Sequence, residues 1–159
     1  MTLKPGGIFA WRCCATILLP SLIQPRSIWL PPWKKSATRL AASDPGKNFV
    51  VGVFERGKLA GTAGFFRRQN NKESHKGHIW GVYVSPELRG KGAGKALMEE
   101  IIRRAKEIAG VEQITLVASA RLPAQKLYKS VGFETYGTEP HSLKIGTEYV
   151  DDVLMVLWL

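Results

Sequence analysis

A seven-residue stretch, Arg89-Gly90-Lys91-Gly92-Ala93-Gly94-Lys95, constrains this chain more than any other feature, because it joins a strand-like run to an amphipathic helix. At such a junction the first N–H groups of the helix lack backbone partners, and together with the helix dipole they form an anion site. Glycines there let the backbone close on the anion. Downstream, Ala93, Leu97, Ile101, Ala105 and Ile108 recur at spacings of four, four, four and three, the stripe of a helix closed by Gly110. Two nucleotide-binding templates fail on this loop. The phosphate loop of nucleotide hydrolases needs glycine where Arg89 stands and Ser or Thr where Ala96 stands. The dinucleotide fingerprint needs glycine at 95 or 97, positions held by Lys95 and Leu97, and a parallel strand-helix-strand unit at the chain's start. A glycine turn with no ligand would leave the Arg and Lys side chains around it without a purpose.

The flanking sequence divides into elements by its punctuation. Asn48 to Glu55 and Lys58 to Arg68 are β-rich runs joined by Arg56-Gly57, a hairpin signal. Gln69 to Gly77 is a polar loop, and His78 to Ser85 is a further strand stopped by Pro86. Val111 to Ala118 reads as a strand, Pro123 to Val131 as a second helix, and Phe133 to Gly137 with Tyr149 to Leu159 as a closing strand pair. The expected fold is α/β (α+β): a mixed, mostly antiparallel twisted sheet of about six to seven strands flanked by helices.

Length and composition add bounds. The 159 residues suit one domain, and 45% apolar content is ordinary for a globular chain. With 23 Lys plus Arg against 13 Asp plus Glu, the formal charge of +10 favours phosphorylated cofactors and nucleic acids alike. Six basic residues (Lys4, Arg12, Arg26, Lys34, Lys35, Arg39) and no acidic one fall within residues 1–43. This sets an atypical basic segment, 1–43, apart from a domain over 44–159. A basic arm, an irregular lid over the domain and the product of a reading-frame shift all stand as readings, the scattered charges favouring the lid. The adjacent Cys13 and Cys14 suit neither a disulfide framework nor spaced metal ligands, so a cytoplasmic protein without a metal is expected. The best apolar run, Ile8 to Leu19, contains Arg12 and ends at Pro20, too short for a membrane span.

What does fit the loop is Arg-x-x-Gly-x-Gly in Arg89, Gly92 and Gly94, following Val82-Tyr83-Val84 and a Ser-Pro-Glu turn. Here the sequence resembles the GNAT superfamily of acyl-CoA-dependent N-acetyltransferases. Further matches are Leu127-Tyr128 followed by Gly132-Phe133, and the tail Asp151-Asp152-Val153-Leu154-Met155. The resemblance spans about residues 49–159 and stops short of 1–43, where the family has one strand and two helices that help wall the acceptor pocket.

The resemblance implies a GNAT-like domain that uses acetyl-CoA as co-substrate. Backbone N–H groups of Arg89, Gly90, Lys91, Gly92, Ala93, Gly94 and Lys95 would bind its pyrophosphate, and the Arg and Lys side chains its other phosphate. Polar groups of Val82, Tyr83 and Val84 would pair with the pantetheine amides, one N–H polarising the thioester carbonyl. Tyr128 stands where the family's tyrosine protonates the leaving thiolate, a task within reach of a phenol of pKa about 10. Arg121 replaces an asparagine common in the family. For the base the residues offer His78, Tyr83 or the carboxylates Asp151 and Asp152, with water as a relay.

The leading expectation is therefore an N-acetyltransferase moving an acetyl group to a primary amine, on a small molecule or peptide, by direct attack in a ternary complex. The second is a non-catalytic acyl-CoA sensor of the same fold. A nucleic-acid binder ranks last, since no stacking motif accompanies the charge. Exposed sheet edges invite pairing, which keeps a homodimer among the expected arrangements.

Overall fold

The computed structural model describes residues 47–159, together with the two-residue strand β1, Ile8–Phe9. Expectations for the rest of residues 1–43, including both cysteines, lie outside the described residues. Asn48–Glu55 (β2) and Lys58–Arg67 (β3) form the expected hairpin. Its turn residues Arg56 and Gly57 take φ of 49° and 78°, the left-handed pair that a two-residue connection between twisted strands requires. Then follow Lys76–Val84 (β4), Ala93–Lys106 (α1), Gln113–Ser119 (β5), Ala124–Ser130 (α2), Glu134–Ile145 (β6) and Glu148–Trp158 (β7). The sheet order is β1-β2-β3-β4-β5-β7-β6, with β4 and β5 the one parallel pair among the described residues. The mixed, mostly antiparallel sheet with helices is the expected architecture.

One strand exceeds its expected length. The sequence pattern ends β6 at about Gly137, but the strand continues to Ile145. Pro140 and the left-handed His141, φ 57°, break its alternation, and the register shifts between Glu139 and Leu143. That bulge is held from β7: Asp151 Oδ1 accepts from the His141 N–H at 2.8 Å, and Asp152 Oδ2 from the Ser142 hydroxyl at 2.7 Å. The two aspartates thus belong to the body of β7.

The apolar stripe read from the sequence does pack. Leu97, Ile101 and Ala105 of α1, with Met98, are buried against Val51, Ala63, Phe65 and Ile79 of β2, β3 and β4. α1 ends at Lys106, and Ile108 packs on the core from the turn beyond. Phe49 stacks on Phe65 with ring centroids 4.9 Å apart, and the Arg104 guanidinium lies 5.6 Å above the Phe49 ring. Glu100 fixes that cation: its carboxylate accepts from Arg104 Nε at 2.8 Å and from Arg103 Nε at 2.9 Å. These hydrogen bonds, Arg103's first, hold the Glu100 carboxyl down at about 2. A depressed carboxylate contributes stability that is present above its unfolded value and lost as pH falls through the folded one. Glu100→Gln should therefore flatten the loss of thermal stability between roughly pH 5 and pH 2, read by melting curves across that range.

Candidate functional site

β4 is the element around which the site is built. It pairs with β5 through Lys76↔Gln113, Gly77↔Ile114 and His78↔Thr115, and then the strands part. From Ile79 to Val84, β4 has no ladder partner on that side among the described residues. A bulge lies in the same stretch: Thr62 pairs with Tyr83 and Gly64 with Trp80, so Ala63 alone faces Gly81 and Val82. Gly81 adopts φ 61°, a left-handed conformation open to glycine at little cost. A glycine inside a strand-like run is the signal that could have disclosed this bulge from sequence.

The three expected strand residues do not face alike. The Ser85 N–H donates to the Ala60 carbonyl at 2.8 Å, which with the Thr62↔Tyr83 pairing turns Tyr83's backbone groups toward β3. Those of Val84 consequently face the gap, and its carbonyl accepts from Arg89 Nε at 3.1 Å. Val82 and Val84 set their side chains against the core, while the Tyr83 ring is exposed on the other face. Arg89, itself exposed, is thereby tied through Nε to the end of β4.

The glycine loop begins where β4 ends. The N–H groups of Arg89 and Lys91 are spent inside the turn, on the carbonyls of Pro86 at 3.2 Å and Leu88 at 3.3 Å. The first intrahelical bond runs from Ala96 N–H to the Gly92 carbonyl, 3.0 Å, so those of Ala93, Gly94 and Lys95 have no partner within α1. No side chain caps this helix. Gly90 and Gly92 take φ of 73° and 84°, and a Cβ on either would meet nothing within 4 Å. Backbone conformation, not crowding, demands glycine at both, and the space above the loop is open. These unpartnered donors beside open space suit an anion such as a pyrophosphate. Gly94 answers a different need: a Cβ there would lie 2.9 Å from Leu127 Cδ2, so its absence lets α2 approach α1.

α2 carries Tyr128. Its ring is 7% exposed and meets Phe133 edge-on at 6.3 Å, and burial raises the phenol above its ordinary pKa. Its hydroxyl makes no hydrogen bond among the described residues. Arg121 is turned away in an exposed pair with Glu148, 2.8 Å.

His78 lies at the closed end of the gap, in the last β4–β5 pair. The Thr115 hydroxyl donates to the Gly77 carbonyl at 3.2 Å, and its oxygen therefore accepts from His78 Nδ1–H at 3.0 Å. That tautomer leaves Nε2 as an acceptor. His78 precedes Val84 by six residues, on the order of 20 Å of extended strand, so the fold does not bring it to the glycine loop. Burial, aided by the nearby Arg68 charge, lowers its pKa. The unfolded chain then takes up a proton below about pH 6.5 that the folded one resists, and stability falls as pH drops through that window. His78→Gln should flatten the decline in melting temperature between roughly pH 7 and 5.

Comparison with known proteins bears on the family and the fold. The chain is 32% identical over 116 residues to an L-amino acid N-acetyltransferase of Escherichia coli, a match covering 72% of this chain and 70% of that one. It spans about a third of the length of several other curated relatives that it matches. Its fold is similar to that of a ribosomal-protein-alanine N-acetyltransferase of Brucella melitensis, with 26% identity and a TM-score of 0.65 over 80% of this chain and 75% of that one. The fold also matches yncA of Salmonella typhimurium, solved with its cofactor acetyl-CoA, at 24% identity and a TM-score of 0.65 over 80% and 70% of the two chains. The model of the acetyltransferase (GNAT) family matches residues 15–133, beginning inside the segment that the motif resemblance left out. On that match the chain belongs to the GNAT acetyltransferase family.

Proposed function

We propose that this protein transfers an acetyl group from acetyl-CoA to a primary amine by direct attack in a ternary complex. The observation that carries this reading is the parting of β4 from β5 beside a loop whose left-handed glycines lead into uncapped helix N–H groups. The N–H groups of Ala93, Gly94 and Lys95 would hold the pyrophosphate, with Gly90 and Gly92 shaping the turn and the exposed Lys91 and Lys95 adding charge. The backbone groups of Val84 and the bulged Gly81-Val82 would hold the pantetheine arm and polarise the acyl carbonyl. When bound, acetyl-CoA supplies the activated acyl group; the chain supplies position, polarisation and proton transfer. Tyr128, kept protonated by burial, donates to the departing thiolate. His78, neutral and with Nε2 free to accept, takes the amine's proton through intervening water.

The relatives' names guide the choice of acceptor: an amino acid α-amine first, a peptide N-terminal alanine next. Calorimetric titration with acetyl-CoA, followed by thiol release over a panel of amino acids, N-terminal peptides and polyamines, tests the reading. Micromolar binding with amine-dependent thiol release supports it. Binding without release from any amine leaves a non-catalytic acyl-CoA sensor. No binding by folded protein ends both readings.

A further inference from the structure

Asp152 is the one charged side chain among the described residues that is buried, at 9% exposure. Such a charge is costly unless it is paired. Its one hydrogen bond comes from a neutral group, the Ser142 hydroxyl at 2.7 Å, and no cation among the described residues forms an ion pair with it. Its place in the sheet suggests what completes it. Val153 and Met155 pack on the core beneath the helices, so the alternation of β7 puts Asp152 on the opposite face. That face also carries His78 and the exposed Tyr83 ring of β4. Asp152 pairs with Ser119, the last residue of β5, at the end where β4 and β5 have separated. The β6 bulge brings Ser142 onto the same carboxylate.

We infer that Asp152, oriented by Ser142, docks the ammonium group of the acceptor. An amine acceptor arrives protonated at neutral pH, and a carboxylate short of one counter-charge on the gap-facing side of the sheet is the group that would select it. Asp152 then sets specificity for cationic acceptors, while the acyl donor is held by the glycine loop. The inference rests on the transferase reading, but its test does not depend on turnover.

The probes are L-alaninamide, which carries an ammonium and no carboxylate, and lactamide, which has a hydroxyl in its place. Each is titrated by NMR chemical-shift perturbation into the full chain, with and without CoA. The wild-type protein should prefer L-alaninamide by about tenfold or more, the range of a charge-assisted hydrogen bond. Asp152→Asn should abolish the preference and leave acetyl-CoA affinity unchanged, Asp152→Glu should restore part of it, and Ser142→Ala should weaken it. A wild-type protein with no preference overturns the inference whether or not the variants fold. A preference surviving in Asp152→Asn overturns it as well. Failure of acetyl-CoA to bind wild type sinks the transferase reading instead, and the ammonium preference is still measured in that case.

Discussion

Gly92→Glu should lower the affinity for acetyl-CoA by at least about a hundredfold, the equivalent of losing two charge-assisted contacts. Two effects combine at this position. Gly92 holds φ 84° as the residue preceding α1, and any other side chain there costs roughly 1–2 kcal/mol of backbone strain. Because a Cβ meets nothing within 4 Å, the new side chain is not rejected sterically; its carboxylate simply occupies the anion site. Gly92→Ala separates the two effects, since it carries the strain without the charge. Calorimetry should show the alanine variant weakened about tenfold at most, and both variants melting only a few degrees lower. Equal losses in the two variants would assign the effect to loop distortion. Wild-type affinity in the glutamate variant would remove the glycine loop from the binding site altogether.

Much of this architecture was legible because Gly and Pro punctuate it. The β2–β3 hairpin, the Pro86 stop, the α1 stripe and the Gly132 end of α2 are all local events, set by backbone conformation and periodicity. What escaped the sequence depends on partners distant in the chain. β4 begins at Lys76, two residues before the expected start, because Lys76 pairs with Gln113 and Gly77 with both Arg67 and Ile114, the glycine leaving room for the Phe65 ring. β6 runs on past Gly137 because β7 carboxylates bind the irregular segment His141-Ser142, and no local pattern announces that.

The site divides in the same way. The loop Arg89 to Lys95 could be read as an anion-binding turn from composition and place alone. Which of its groups stay free could not, since the N–H groups of Arg89 and Lys91 are consumed by turns that close on Pro86 and Leu88. Gly94 has a packing duty toward Leu127 that a motif does not reveal. The parting of β4 from β5 after His78↔Thr115 has no signal in either strand's own residues, because strand divergence is a property of a pair.

Tyr128→Phe should reduce kcat by about a hundredfold and change acetyl-CoA affinity less than twofold, as expected for loss of a general acid that acts at thiolate departure. The substitution removes only the oxygen. The ring remains against Phe133 in the core, and because the hydroxyl has no hydrogen-bond partner among the described residues, its removal leaves no orphaned group behind. Melting temperature should therefore hold within a degree or two, as for a substitution that breaks no contact. A rate loss without a stability loss is the signature that distinguishes a proton donor from a packing aromatic. Burial keeps the phenol protonated beyond its usual range, so wild-type kcat should show no alkaline decline from this group up to about pH 10. Unchanged kcat in Tyr128→Phe would make the residue a core aromatic and leave the thiolate to be protonated by water entering the gap between β4 and β5.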